Sequence, residues 1–182
     1  MPDFKKSYII TGREVTPMET KMLRDSLAQT LVALLQNDGK VITPADAVVR
    51  DALPNSDFNL TNNNWVSGTL TANTASAMIN YSLANNKYAG FWGGSTDDTN
   101  IASFVYSLRF AVGGTGGATR GRFQLERAYA EQEAVFLFAD PIVYHPTETV
   151  YVEVVPRAAL ASPGVRLELF SLVAEPKGPF VS

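Results

Sequence analysis

The sequence contains no cysteine and only one histidine among its 182 residues. Without thiols there are no disulfides and no thiolate metal sites, and a single imidazole cannot build the usual zinc constellations. Stability must come from ordinary packing or from assembly. A chain of this length is one domain, or one domain with an extra lobe, and it buries roughly 70% of its unfolded surface without staples. No apolar run reaches the ~20 residues of a membrane span. The opening Met1-Pro2-Asp3-Phe4-Lys5-Lys6 does not read as a signal peptide either.

Charge is also in short supply, and unevenly so. Residues 1–54 carry 7 basic and 7 acidic side chains, whereas residues 55–119 carry only 2 and 3. The net charge of -3 argues against a general nucleic-acid binder, since neutralising phosphates takes a surplus of Lys and Arg. The charge-poor middle relies on Asn, Thr, Ser and Gly for solubility. Trp65, Tyr81, Tyr88, Phe91 and Trp92 give it too much aromatic content for a disordered tract, so a folded β-region with polar loops is expected.

Local signals are clearest near the N-terminus. Thr16-Pro17-Met18-Glu19 is a capping box with proline at the first helical position. A helix is expected from Pro17 to about Gln36, with Met22, Leu23, Leu27, Leu31, Leu34 and Leu35 as its apolar stripe and Asn37-Asp38-Gly39 as its end. Thr43-Pro44-Ala45-Asp46 repeats the start signal and predicts a second, shorter helix to Ala52. Asn55 to Asn64 reads as a loop or linker. The division expected is a 1–54 N-terminal arm and helical segment, followed by a 55–182 β-sandwich domain. The helical stripe must be buried against that domain or a neighbouring subunit, because short helices are not stable alone.

Past residue 64 the hydrophobic period changes to two. Phe104, Tyr106, Leu108, Phe110 and Val112 share one face, with Ser107 and Arg109 on the other. Gly121, Phe123 and Leu125 alternate with Arg120, Arg122 and Gln124. Val150, Val152 and Val154 alternate with Tyr151 and Glu153, and Val165, Leu167 and Leu169 with Arg166 and Glu168. Weaker strands are expected near 65–71, 77–83, 87–92, 134–138 and 141–144, and Gly113 to Gly117 as a flexible connection. About eight strands without crossover helices predict a mainly β fold: an antiparallel β-sandwich, jelly-roll-like, behind an N-terminal helical segment.

The search for chemistry returns little. His145, in Tyr144-His145-Pro146, has no nucleophile motif to serve and reads as a strand end before a turn. Asp97-Asp98-Thr99-Asn100 lacks the alternating oxygen spacing of a calcium loop. Gly113 to Gly117 with Arg120 and Arg122 lacks the following helix of a phosphate loop. Glu126, Glu131, Glu133 and Glu148 could in principle supply a glycosidase pair, but nothing in the sequence pairs them. Asn59 and Asn80 match the glycosylation pattern without a secretory signal to give it meaning. No catalytic residue, metal ligand or cofactor is expected. Trp65, Tyr88 and Trp92 could stack on sugar rings if exposed, which makes a carbohydrate- or receptor-binding module the alternative function. Buried core positions are the commoner place for such rings.

The stretches Arg120-Gly121-Arg122-Phe123-Gln124-Leu125-Glu126, Phe138-Ala139-Asp140-Pro141-Ile142-Val143-Tyr144 and Val150-Tyr151-Val152-Glu153-Val154 lie behind a helical segment and an Asn/Thr/Gly-rich middle. Together they resemble small structural proteins of tailed-bacteriophage virions, over about a third of the chain. The resemblance implies a non-enzymatic capsid decoration, cement or head-associated protein, made in the host cytoplasm and resident in the virion. It would contact itself and other capsid proteins and have no catalytic residues to carry over. Homo-oligomers usually close symmetrically, and a trimer is taken as the expected order. Met22, Leu27, Leu31, Phe180 and Val181 are the expected interface residues.

Overall fold

Thr16 starts the first helix as its sequence indicates. Its hydroxyl accepts from the Glu19 amide at 3.3 Å, while the Glu19 carboxylate accepts from the Thr16 amide at 2.7 Å. These bonds satisfy two of the amides that a helix start leaves unpaired. In the computed structural model, which describes residues 9–11, 16–61, 65, 69–95, 105–125, 135–159 and 167–178, helix α1 runs Pro17–Asn37 and ends before Gly39, whose φ is +65°. No helix among the described residues is long and apolar enough to cross a membrane.

The other elements are β1 (Ile9–Thr11), a 3-10 turn (Pro44–Asp46), β2 (Ala47–Asp51), the short helix α2 (Pro54–Phe58), β3 (Ser76–Ser82), β4 (Tyr88–Ser95), β5 (Val105–Val112), β6 (Ala118–Gln124), β7 (Val135–Tyr144), β8 (Thr149–Pro156) and β9 (Glu168–Pro176). They form two antiparallel sheets, ordered β1-β7-β4-β9-β2 and β3-β8-β5-β6. The sheets stack as a sandwich, mainly β as expected. Phe91, Phe138, Tyr144 and Val173 of the first sheet meet Ile79, Leu108, Phe110, Phe123, Val150, Val152 and Val154 of the second. Their rings interlock: Phe123 stacks on Phe138 at 4.0 Å between centroids, and Phe91 lies 5.2 Å from Phe110.

The five-stranded sheet is covered on its other face too. Leu27, Leu31 and Leu35 of α1 pack there on Tyr88, Trp92, Leu137, Leu172 and Ala174. Burying each leucine contributes about 2 kcal/mol, which is what holds a helix that would be marginal alone. The approach is close enough to require glycine. A Cβ on Gly90 of β4 would lie 2.7 Å from Leu27 Cδ1. Because β4 and β7 are buried on both faces, their sequences read as near-continuous apolar runs with weak alternation.

Several expectations are corrected. The second helix is absent: Pro44–Asp46 makes one 3-10 turn, and Ala47–Asp51 forms β2. The start signal is genuine, since Asp46 accepts from Thr43 N–H at 2.9 Å. It ends after one turn because the open edge of β9 offers backbone partners from Ala47↔Pro176 to Asp51↔Leu172, and Val48 and Val49 suit a strand. The segment 1–54 thus contributes β1, α1 and β2 to the same layers as the rest. Within the expected loop 55–64, α2 occupies the start, closed by Asn59 at φ +53°.

Of the strand expected near 65–71, residues 66–68 lie outside the described residues, and Leu70 makes a single bridge. The two strands expected near 134–138 and 141–144 are one, β7. Its ladder with β4 breaks between Leu137 and Ile142, which is where Pro141, having no amide hydrogen, can sit. In β5 a register shift between Val105 and Ser107 moves Val105 into the core and leaves Tyr106 half-buried. Phe104 and Val165 lie outside the described residues.

The connection between β7 and β8 stores a small strain. Glu148 N–H donates to the His145 carbonyl at 3.2 Å across Pro146 and Thr147, and Thr147 has φ +65°. That is a turn whose third residue favours glycine. Thr147 is exposed and buries nothing there. Thr147→Gly is therefore expected to raise stability by up to about 1 kcal/mol, relief of the left-handed strain exceeding the added unfolded-state entropy. A higher urea midpoint at unchanged slope is the readout.

Candidate functional site

Half-buried and buried ion pairs join separate elements in three places among the described residues. The largest cluster is built around Asp57 of α2, whose side chain is fully buried. Arg50 of β2 grips both carboxylate oxygens, at 2.6 and 2.8 Å. Lys87, just before β4, donates to Oδ1 at 2.7 Å, and the Leu53 amide donates to Oδ2 at 2.7 Å. Glu175 of β9 completes the group, 3.2 Å from Arg50 and 3.6 Å from Lys87. Burial pushes the Asp57 carboxyl up, but the hydrogen bonds from Arg50, Lys87 and the Leu53 amide outweigh it and hold it at about 2. Hydrogen bonding to Asp57 raises Arg50 above the ordinary guanidinium value. Asp57 and Arg50 are thereby both held as ions near neutrality, unsuited to giving or taking protons there.

A second tie crosses the outer face of the four-stranded sheet. Arg109 of β5 pairs with Glu153 of β8 at 3.2 Å, both nearly buried. In the third, Arg120 of β6 donates to Glu148 at 2.5 Å and to the Val143 carbonyl, with its guanidinium 4.9 Å from the centre of the Tyr144 ring. Burial raises the Tyr144 phenol above its usual value, and its hydroxyl donates to the Ala111 carbonyl in the facing sheet at 3.0 Å. At the end of α1, Tyr88 donates to Asp38, and burial together with that contact raises its phenol. No group of three or more potential metal ligands occurs among the described residues.

The residues picked from the sequence fall into different places. Trp65 and Trp92 are 8% exposed and Tyr88 is fully buried. Trp65 packs on Phe58, Trp92 on Phe170, and Tyr88 beneath the end of α1. Stacking on a sugar needs an exposed ring face, and these three present none, which corrects their candidacy as glycan contacts. Leu27 and Leu31, expected at an interface, are already covered by this chain's own sheet. Met22 is 61% exposed on the opposite side of α1, with Met18 one turn away at 73%. Phe180, Val181, Asp97 to Asn100, Glu126, Glu131 and Glu133 lie outside the described residues. His145 is exposed at the end of β7, its ring edge-on to Tyr88 at 5.5 Å.

Asp57, Arg50, Lys87 and Glu175 were missed by sequence reasoning. One signal was there to use: Lys87 and Arg109 are the only bases between residues 55 and 119, and both are held in nearly buried ion pairs.

No protein-family model and no curated protein matches the chain. Among solved structures, it is similar to a chain from Bacillus endospore appendages, described as a family of disulfide-linked pili. The likeness covers 74% of this chain and 87% of that one at 15% identity, with a TM-score of 0.32. It is too slight to carry an argument.

Proposed function

We propose that the chain is a non-enzymatic structural subunit of a virus particle: a capsid decoration, cement or head-associated protein of a tailed bacteriophage that self-assembles as a closed homo-oligomer, for preference a trimer. The observation supporting this is the use made of its charged groups. Arg50, Lys87, Asp57 and Glu175, then Arg109 with Glu153, then Arg120 with Glu148, all tie one element to another. A catalytic pair would need groups poised to change state beside a substrate.

Three of the four sheet-edge strands favour contact through side chains over strand addition, β2 being the regular exception. β1 has three residues, β3 carries a register shift after Ala77, and β6 bears Arg120 and Arg122. Short, irregular or charged edges are how sheets avoid extending into neighbours. Met18, Met22, Ile42 and Leu53 are the large apolar side chains left in solvent among the described residues. Electron microscopy of the native material tests the proposal. Repeated copies on a shell or tail are the expected image, and a dispersed chain bound to no particle would defeat it.

A further inference from the structure

The outer face of the four-stranded sheet ought to be wet, yet Tyr151 and Glu153 on it are each only 4% exposed. Part of the cover is the connection from β5 to β6, Gly113-Gly114-Thr115-Gly116-Gly117, which folds back across the sheet. Arg109 holds it there, donating to the Thr115 carbonyl at 3.0 Å and the Gly117 carbonyl at 2.8 Å, while its Nε is anchored on the Thr119 hydroxyl of β6 at 2.8 Å. The same guanidinium reaches Glu153 Oε1 at 3.2 Å, and the Thr115 hydroxyl lies 3.3 Å from the Tyr151 hydroxyl.

We propose that this connection is a strap that opens and closes over Tyr151 and Glu153, latched by Arg109. Three observations carry the inference. The strap has no apolar side chain, so it is held by polar contacts alone, and such segments open well below the free energy of global unfolding. Gly113 and Gly114 stand at φ +86° and +96°, conformations that glycine enters and leaves without steric cost, so a hinge exists at the strap's root. Finally, Glu153 Oε2 is buried with no hydrogen-bond partner among the described residues. A carboxylate oxygen shut away unsatisfied penalises the closed state, and opening returns it to water. The two states are thereby brought closer in free energy. What opening exposes is a row of phenol, carboxylate and guanidinium, so the change shifts polar groups, not apolar surface, into solvent.

The absence of native cysteine makes a clean test possible. Tyr151→Cys places a single thiol under the strap and leaves the contact between Arg109 and Glu153 in place. Its labelling by a soluble thiol reagent is expected to be slower than for a free thiol but much faster than global unfolding, with little dependence on urea. Adding Arg109→Lys, which cannot reproduce the forked contacts, should speed labelling by about tenfold or more. In the unaltered chain, the Gly113 and Gly117 amides should exchange hydrogen ahead of the central amides of β5 and β8. Labelling that proceeds only at the global unfolding rate, indifference to Arg109→Lys, or strap amides exchanging together with β5 and β8 would each overturn the proposal.

Discussion

Asp57→Ala is expected to destabilise the fold by about 3 kcal/mol, because it removes the buried carboxylate that Arg50 and Lys87 share and leaves them only the half-buried Glu175. Against a typical total of about 5–15 kcal/mol, that loss brings the chain near the threshold of folding. The effect should appear as a large fall in urea midpoint. The cluster also predicts an acid limb. The folded carboxyl is held at about 2, below the ordinary aspartate value of 3.8, so its contribution is complete above about pH 4 and lost as pH falls through 2. The part lost is of order 2 kcal/mol. In Asp57→Asn this share of the pH dependence should vanish, leaving a flatter stability profile between pH 4 and 2. A variant profile parallel to that of the unaltered chain would show that the pair does not exist as described.

Phe91→Ala should cost a similar amount, about 3–5 kcal/mol. Phe91 is fully buried at the centre of the sandwich, tilted against Phe58 at 5.5 Å and Phe110 at 5.2 Å, and edge-on to Tyr144 at 5.9 Å. These neighbours come from α2, β5 and β7, so the void left by truncation cannot close by moving one side chain. Met22→Ala provides the contrast. Exposed on the far side of α1, Met22 should matter to folding by no more than about 0.5 kcal/mol. If it lies at a subunit contact, its loss should weaken assembly while the urea midpoint stays put.

The parts of this fold that could be read from the sequence are those whose signals are local. Thr16 and Glu19 are three residues apart and specify a helix start by themselves. Phe123 alternates with exposed Arg122 and Gln124 because one side of β6 faces water, and Leu167 and Leu169 flank an exposed Glu168 at the uncovered start of β9. Where a strand is covered twice, as β4 is by the facing sheet and by α1, the alternation fades. β2 was hidden for another reason. Thr43 to Asp46 does begin a helical turn, and what converts the following residues to a strand is the edge of β9, reached only in three dimensions. The bulge at Tyr106 shifts the inward face by one residue, which no periodicity count foresees.

The polar cluster was less legible still. Arg50 lies 7 residues from Asp57, Lys87 lies 30 away and Glu175 lies 125 from Arg50. Nothing in such spacing marks an ensemble. Only the rarity of charge in the middle of the chain hinted that each base there was employed. The tryptophans teach the complementary lesson. A glycine-rich flank such as Gly90-Phe91-Trp92-Gly93-Gly94 can present a ring at a surface, but here the missing side chains let α1 and the neighbouring backbones come close. A Cβ on Gly93 would lie 2.5 Å from the Phe136 carbonyl oxygen, and one on Gly94 2.6 Å from that of Glu168.

The reading as an assembling structural subunit is tested most directly by native mass spectrometry of the full chain across rising concentration. The account predicts one dominant species whose mass is a small integral multiple of the single chain, weakened by Met22→Ala without loss of folding. A strict monomer at the highest concentration would contradict it.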